Sequence, residues 1–417
     1  MTTGWRTIDV QMAFSDDPLI WTPTWTSILP DVKSIKIIRG WQPGNRFSDT
    51  GSLVLGVDDS NGNYNPANSF GSHFGALTSY RQVRVTATDS GNNSRTMFRG
   101  HVKPRGYASA TQLPGSATAT MSSADIMQML ARYTIPALAA PDAGAPVGTV
   151  FANLLAAAGF TTDWYNFLHW SLGSMTYTDI AGSVYGDNLL SHLQTLSSSD
   201  GGVLYVDQNG VLQLEQRLNA FFDSTRASPQ YTFADNGTGG AILFERDSLA
   251  QDYAYDVLTE ALYTGASGNP QDVTAAGVGG ITGITNVDQR TLYCRDDPEV
   301  HARAELALAL YGSEYYGPIA LRYEACESNT AFDAMLNLDL RERVEVFYTP
   351  PNVSTLGRDL FAERMEIDIP IEQSPNTATV TLGLTPAGAW DQLLAGGAFL
   401  ALDNATTGKL NTGRLAP

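Results

Sequence analysis

The sequence predicts a mainly β protein with α+β modules, in which two β-barrel domains are separated by α/β insertions. Three observations carry this. Short runs with every second residue apolar fill the first 121 or so residues, the period of a half-buried strand. The same period returns after Gly312, in Met365, Ile367, Ile369 and Ile371 and in Val380, Leu382 and Leu384. Between these blocks the apolar spacing turns helical.

Ile8, Val10, Met12 and Phe14 open the first block. Strand-like runs follow at Ser34–Ile38, Ser52–Val57, Gln82–Thr88, Thr96–Val102 and Ala117–Met121, divided by turn-rich segments as in a compact barrel. Asp58-Asp59-Ser60-Asn61-Gly62-Asn63 has calcium-loop residues, but no acidic residue stands at the twelfth position and no helices flank it. It reads as a hairpin loop built on Asn61-Gly62.

From Ser122 the pattern predicts a helix over Ala124–Tyr133, with Ser122 or Ser123 as N-cap. An Ala/Pro-rich connection, Pro136–Pro146, leads to a helix over Val147–Ala158 that Gly159 ends. A third helix is expected from Asp187 to Ser197, with His192 a packed or surface residue. Gly202–Val206 and Val211–Glu215 around Asp207-Gln208-Asn209-Gly210 form a strong hairpin signal. Tyr253–Thr264 reads as a strand, and Gly265–Gly283 as a flexible loop. Pro298–Tyr311 is the clearest helix: Asp297 offers an N-cap, Pro298 occupies the first turn, and Gly312 follows the end. Glu299 and Arg303, four apart, read as a solvated pair on its face. Strands are then expected at Pro318–Cys326, Arg343–Tyr348, Glu363–Ile371 and Ala378–Leu384. The domain boundaries follow: 1–121 a barrel, 122–235 an α/β module, 236–315 an α+β module, 316–390 a second barrel, and 391–417 an extended tail.

Composition excludes several classes of function. The 417 residues carry 25 Lys+Arg against 43 Asp+Glu, a formal charge of −18, so phosphate clamping of nucleic acid is disfavoured. The two cysteines, Cys294 and Cys326, read as small hydrophobes of a protein made in a reducing compartment. The first residues, MTTGWRTIDVQMAF, are polar and acidic where a signal peptide needs an apolar stretch, and no run is long and apolar enough to span a membrane. Five scattered histidines and no paired cysteines argue against a metal cluster. Gly-x-Ser-x-Gly and His-Glu-x-x-His are absent, and Gly277-Val278-Gly279-Gly280 fits neither a Walker loop nor a dinucleotide fingerprint. Cys294 precedes a helix, where a thiolate is favoured, but no histidine can be assigned as its base. No enzyme, cofactor or metal is expected. Asp163–Trp170 is the most aromatic stretch, and its Trp164 and Trp170 read as a buried cluster or a subunit contact before a glycan platform.

An ordered series of segments carries a resemblance. It runs through Asp17-Pro18-Leu19 with Trp21–Ile28, Ile38-Arg39-Gly40, Thr50–Leu55, Asp59–Asn68, Arg81–Val85 and Met97–Val102. It continues with Gly201–Asp207 and Gly210-Val211-Leu212, Leu338–Val344 before Pro350-Pro351, and Leu402-Asp403 through Gly408-Lys409-Leu410 to Arg414-Leu415. In this series the sequence resembles the minor tail proteins that form the baseplate or tail-tip hub of long-tailed phages of actinobacteria. That family usually has Gly-Asp-Arg where this chain has Arg341-Glu342-Arg343.

The resemblance implies tail-tube-like barrels, two per subunit, in a homotrimeric hub of the virion tail tip assembled in the host cytoplasm. Such a hub closes the tail tube and forms the DNA exit channel on infection. The implied partners are further copies of the chain, the distal tail protein ring, the tape-measure C-terminus, and distal fibres or adhesins. DNA would pass without specific binding, and an acidic lining suits that. The alternatives are a receptor- or glycan-binding tip protein, a hexameric distal tail ring, and a tail-borne wall hydrolase. Trp41, Tyr64, Asn65, Pro66 and Asn68 are contact candidates because long barrel loops commonly make contacts, with Trp164 and Trp170 beside them.

Overall fold

A computed structural model of the chain describes residues 8–41, 49–89, 91–109, 117–135, 146–168, 186, 188–216, 219, 223–252, 258–265, 267–274, 286–294, 297–312, 317–372 and 377–387. The N-terminal block contributes β1 (Ile8–Met12), β2 (Thr26–Ser27), β3 (Val32–Gly40), β4 (Ser52–Asp58), β5 (Gln82–Thr88), β6 (Ser94–Ser109) and β7 (Thr118–Ala124). The middle of the chain supplies β8 (Tyr165–Leu168), β9 (Val203–Val206), β10 (Leu212–Glu215), β11 (Tyr231–Ala234), β12 (Ile242–Leu243), β13 (Ala250–Asp252), β14 (Glu260–Thr264), β15 (Pro270–Thr274) and β16 (Val287–Thr291). The last block holds β17 (Gly317–Glu324), β18 (Arg343–Tyr348), β19 (Leu356–Ile369) and β20 (Thr379–Pro386).

The two β-blocks are one sheet. Fourteen strands join along the path β12-β11-β18-β19-β3-β4-β7-β6-β5-β1-β2, with β20, β17 and β13 branching from β19. The sequence predicts two separately closed barrels; among the described residues no ladder closes on itself. The reason is the length of β19. Its first half pairs with β18, from Tyr348↔Leu356 to Arg343↔Phe361. Its second half pairs with β3, from Arg364↔Gly40 to Ile369↔Ile35. Fourteen residues are enough to seat two strands end to end on one edge while β20 takes the other. The core is shared accordingly: Val10, Ile37, Leu55 and Val85 lie in one cluster with Val346, Met365, Ile367 and Val380. Alternation explains the inward set, since Ile35 and Ile37 are buried while Ser34 and Lys36 point outward.

A second core lies between the helices Val147–Ala157 and Leu189–Asp200 and the sheet β8-β10-β9, where Phe151, Leu193, Leu204 and Leu214 meet. A third packs the helix Asp297–Tyr311 against β15-β14-β16 through Ala261, Tyr263, Val300 and Ala304. Cys294 is enclosed in this third core, whereas Cys326 packs half-buried on the main one.

Several local expectations change. The helix over Ala124–Tyr133 shrinks to the single turn Met127–Leu130, because β7 continues through Ser122, Ser123 and Ala124 to pair with β4. Just before it, the Asp125 carboxylate accepts from Met127 N–H at 3.0 Å and Gly51 N–H at 2.6 Å. The third helix begins after Asn188, whose side chain accepts from Ser191 N–H at 3.0 Å, and runs on to Asp200. Asn61-Gly62 is a turn, with Gly62 N–H donating to the Asp59 carbonyl at 2.8 Å, but not a hairpin. β4 and β5 on either side of residues 59–81 are separated in the sheet by β7 and β6. Arg303 is buried instead of solvated, and donates to the Ser199 carbonyl at 2.8 Å as well as pairing with Glu299 at 3.0 Å. The helix Asn329–Asn337 is a further element, burying Ala331, Ala334, Met335 and Leu336; Ser328 caps it through Ala331 N–H at 3.0 Å. No helix among the described residues is long and apolar enough to cross a membrane. Trp170, Gly277–Gly280 and the tail Phe399–Pro417 lie outside the described residues.

Candidate functional site

The chemistry-bearing side chains gather at two joints where the hairpin β9–β10 meets the large sheet. At the first joint the segment before β2 crosses β5 and β6, and side chains hold its main-chain carbonyls. Arg81 donates to the Asp16 carbonyl at 3.0 Å. The Gln82 amide donates to those of Pro18 (3.0 Å) and Ile20 (2.6 Å). Trp164 Nε1 donates to Leu19 at 2.8 Å, and Arg99 to Trp21 at 2.5 Å. This fixes a strap of turns without a ladder, giving its main-chain carbonyls side-chain partners. The Arg99 guanidinium lies 3.9, 4.9 and 5.5 Å from the ring centroids of Trp21, Trp164 and Trp25. Burial pulls its pKa down to about 10. The hairpin tip rests on the same residue: Gly210 has φ +82°, and a Cβ there would stand 3.0 Å from the Arg99 Cβ.

His101 completes this joint. Its Nε2–H donates to the Pro18 carbonyl at 2.9 Å, and burial pushes its pKa down to about 4. The unfolded chain therefore binds this proton before the folded one does. Stability is full above pH ~6.5 and falls as the pH drops toward 4, by on the order of 3 kcal/mol. His101→Gln keeps a donor for Pro18 and removes the titration. Chemical denaturation across pH 4–8 should show wild type losing stability relative to this variant only below pH ~6.5. Parallel curves through that window would refute the assignment.

The second joint is a buried ion network. Arg39 at the end of β3 pairs with Asp339 and reaches Met365 Sδ at 3.4 Å. The other Asp339 oxygen accepts from Gln208 N–H at 3.3 Å. Asp207 in that hairpin turn is raised to about 6 by burial and by the nearby Asp339. Glu215, 1% exposed, faces Arg226 at 3.3 Å and Arg341 at 3.7 Å. Arg341 also pairs with Glu363 at 3.2 Å, and Arg226 has a further partner in Glu342 at 3.8 Å. Leu340, between these charges, packs on Trp41 and Tyr205. Arg341 has φ +68°, the left-handed region that favours glycine. The chain thus carries arginine at a position whose backbone would suit the glycine of the resembling family.

The candidate contact residues fall in different places. Trp41 is 2% exposed inside the second joint, with its N–H on the Glu363 carbonyl at 2.9 Å. Trp164 is buried in the first joint. Tyr64 is buried too, its hydroxyl donating to Asp31 at 2.8 Å and its N–H to Asp59 at 2.7 Å. Asn65 and Asn68 are half-buried and Pro66 is exposed on the same loop. Sequence reasoning missed Arg39, Arg99, Glu215 and Arg226. The one signal for the network was the dense run Asp339-Leu340-Arg341-Glu342-Arg343 in a chain that is 16% charged. Among the described residues no group of three or more His, Cys, Asp or Glu side chains is placed to hold a metal ion. His192 accepts or donates at 2.5 Å with the Tyr293 hydroxyl, and Cys294 is wholly enclosed, so neither faces a solvent-open cleft.

The arrangement joins modules; it holds hairpin, strap and sheet in one register. No protein-family model matches the sequence, and no curated protein does. Solved structures do match. A tail protein from Neisseria meningitidis superimposes with a TM-score of 0.59 at 12% identity, covering 93% of this chain and 98% of that one. The 43 kDa tail protein of prophage MuSo2 from Shewanella oneidensis gives a TM-score of 0.54 at 12% identity, with 92% and 97% covered. The chain has the fold of these tail proteins. Some residues of the segments quoted for the resemblance meet at these joints. Leu19, Trp21, Arg81, Gln82, Arg99 and His101 build the first joint, and Arg39, Tyr205, Asp207 and Asp339–Glu342 build the second.

Proposed function

We propose that the chain is a structural virion protein, the tail-tip or baseplate hub of a long-tailed phage of actinobacteria. The observation that carries this reading is the fold match to two tail proteins, one of them from a prophage, over nearly the whole length of each. In this reading three copies form a hub below the distal tail ring, closing the tube before infection and opening a DNA exit channel afterwards. The chain is assembled in the host cytoplasm and contacts the distal ring, the tape-measure C-terminus, and fibres or adhesins. Its charge of −18 favours a channel wall from which DNA is repelled. It catalyses no reaction, so purified protein should leave cell-wall material undigested.

Electron microscopy of the purified protein, with mass measured in parallel, tests the assembly. The expected result is threefold rings near 134 kDa, three chains of 44.8 kDa each. Sixfold rings would overturn the hub in favour of a distal tail ring. Binding of isolated monomers to host glycans, without rings, would overturn it in favour of a receptor-binding tip protein.

A further inference from the structure

We propose that the bulge Lys103–Gly106 of β6, with Arg132 beside it, is the face on which the acidic surface of a second copy docks. This rests on the self-assembly proposed above and names the surface that receives the neighbour.

The first observation is a division of charge along the chain. Residues 60–132 carry seven Lys or Arg against two carboxylates, Asp89 and Asp125, a charge of +5. The remainder keeps 18 Lys or Arg against 41 Asp or Glu, a charge of −23. Two acidic chains repel in most orientations. With charge divided in this way, they attract when the basic segment of one faces the remainder of the other. A second copy is thus a partner whose charge complements this face. Because the two surfaces differ, the contact is head-to-tail and can close a ring.

The second is that the accessible cations of this segment lack counter-charges. Among the described residues Lys103, Arg105 and Arg132 make no ion pair, unlike Lys33, Lys36, Arg95 and Arg322. They gather around Tyr80. Arg132 donates to the Tyr80 hydroxyl at 3.1 Å, and Tyr80 N–H donates at 2.8 Å to the carbonyl of Val102, the residue before Lys103. Arg105 and Arg132 are exposed and Lys103 is half-buried. The carboxylate that senses Lys103 is Asp125, which is buried and held by the N–H groups of Gly51 and Met127. Residues 60–80 bring no charge to this face, although they reach it where the Tyr107 hydroxyl donates to the Thr78 carbonyl at 3.4 Å.

The third is how the bulge presents its arginine. Between Val102↔Ser123 and Tyr107↔Met121, four residues of β6 stand opposite Ser122 alone. Bulges of this kind re-aim side chains. A Cβ on Gly106 would stand 2.4 Å from the Ser122 carbonyl oxygen, so the bulge is drawn tight against β7. Arg105 at its tip has φ +61°, the left-handed region that glycine enters freely and arginine does not. Tyr80 beside it has φ +66°. The fold alone is served better by glycine at 105, and strain of this sort collects where a side chain is presented to a partner.

Carbodiimide coupling tests this directly, since it joins a lysine amine to a carboxylate with loss of water. In a mixture of labelled and unlabelled full-length chains, Lys103 should link to an Asp or Glu of the other copy. By sedimentation at low salt, Lys103→Glu with Arg105→Glu should weaken self-association about tenfold or more, and added salt should weaken wild type in the same direction. Arg246→Glu with Arg322→Glu makes the same change in net charge on another exposed surface and should weaken association no more than about twofold. Arg105→Gly should weaken association yet melt at or above wild type, which separates docking from folding. Equal losses in the two double variants, Lys103 links confined to its own chain, or unchanged association of the bulge variant would each overturn the proposal. Duplex DNA binding that the bulge variant loses while it still self-associates would assign the face to nucleic acid and overturn it as well. Threefold rings that persist in the bulge variant would overturn the docking face and leave the hub standing. Absence of the chain from purified tail tips, probed by antibody, would remove the hub itself.

Discussion

Gly40→Ala is expected to destabilise the whole sheet by about 4 kcal/mol or more, enough to abolish soluble expression in many backgrounds. Gly40 is the last residue of β3 and sits at φ +83°. For an alanine, that left-handed conformation alone costs about 1 kcal/mol. Collision costs more. The added Cβ would stand 1.9 Å from the Glu363 carbonyl oxygen and 2.8 Å from Leu340 Cδ2. The first of these is backbone and cannot swing aside. Relief would require β3 to move off β19, the ladder that unites the two blocks, and would carry Trp41 and Arg39 out of the second joint. Gly239→Ala is the control. That glycine has φ +72° but nothing within 4 Å of its Cβ position, so it should lose only about 1 kcal/mol. Calorimetric melting of both variants decides the matter: equal losses would show that the close approach at Gly40 carries no weight.

Arg226→Met is expected to cost about 3–5 kcal/mol in chemical denaturation. Arg226 is the cation nearest to Glu215, and Glu215 is 1% exposed. Its guanidinium also hydrogen-bonds the buried Tyr205 hydroxyl at 2.9 Å. Methionine fills similar volume but leaves a carboxylate enclosed with only Arg341, 3.7 Å away, to balance it. Breaking one side of a buried pair is costly because the remaining charge is desolvated without compensation, whereas removing both can be nearly neutral. Glu215→Gln combined with Arg226→Met should therefore recover more than half of the loss. A double-mutant cycle reads this directly. A single-variant loss below about 1 kcal/mol would show that Glu215 is solvated or otherwise paired in solution.

These two sites also show what kind of information a sequence carries. The strands at Gln82–Thr88 and Arg343–Tyr348 match their expected limits, because alternation there is strict and both faces have distinct environments. The hairpin around Asp207–Gly210 was equally legible, since Asn-Gly turn chemistry is local. The helix Met127–Leu130 is shorter than its pattern suggests because apolar residues at 124–130 serve strand β7 first and the helical turn afterwards. The helix Asn329–Asn337 carries its own local signals, a Ser328 cap and apolar Ala331, Ala334 and Met335 at helical spacing, between two strand runs. For the contact candidates, position on a loop was a poor guide to exposure. Tyr64 and Trp41 turned inward, and Phe70 on the same loop as Tyr64 is the ring left in water.

Period, turn residues and caps are properties of neighbouring residues, so the mainly β character, the helical inserts and most strand positions are legible without the fold. The chain's charge imbalance likewise disfavoured a phosphate-binding role without any coordinates. That the terminal blocks make one sheet emerges only from long-range pairing. That outcome depends on the register of β19 against β3, more than 300 residues away, and no local pattern encodes it. The pairing of Arg39 with Asp339, and the enclosure of Glu215 between Arg226 and Arg341, follow from that register. Such charges look solvated in a sequence. Burial is set by what folds over them, and here that cover comes from the opposite end of the chain.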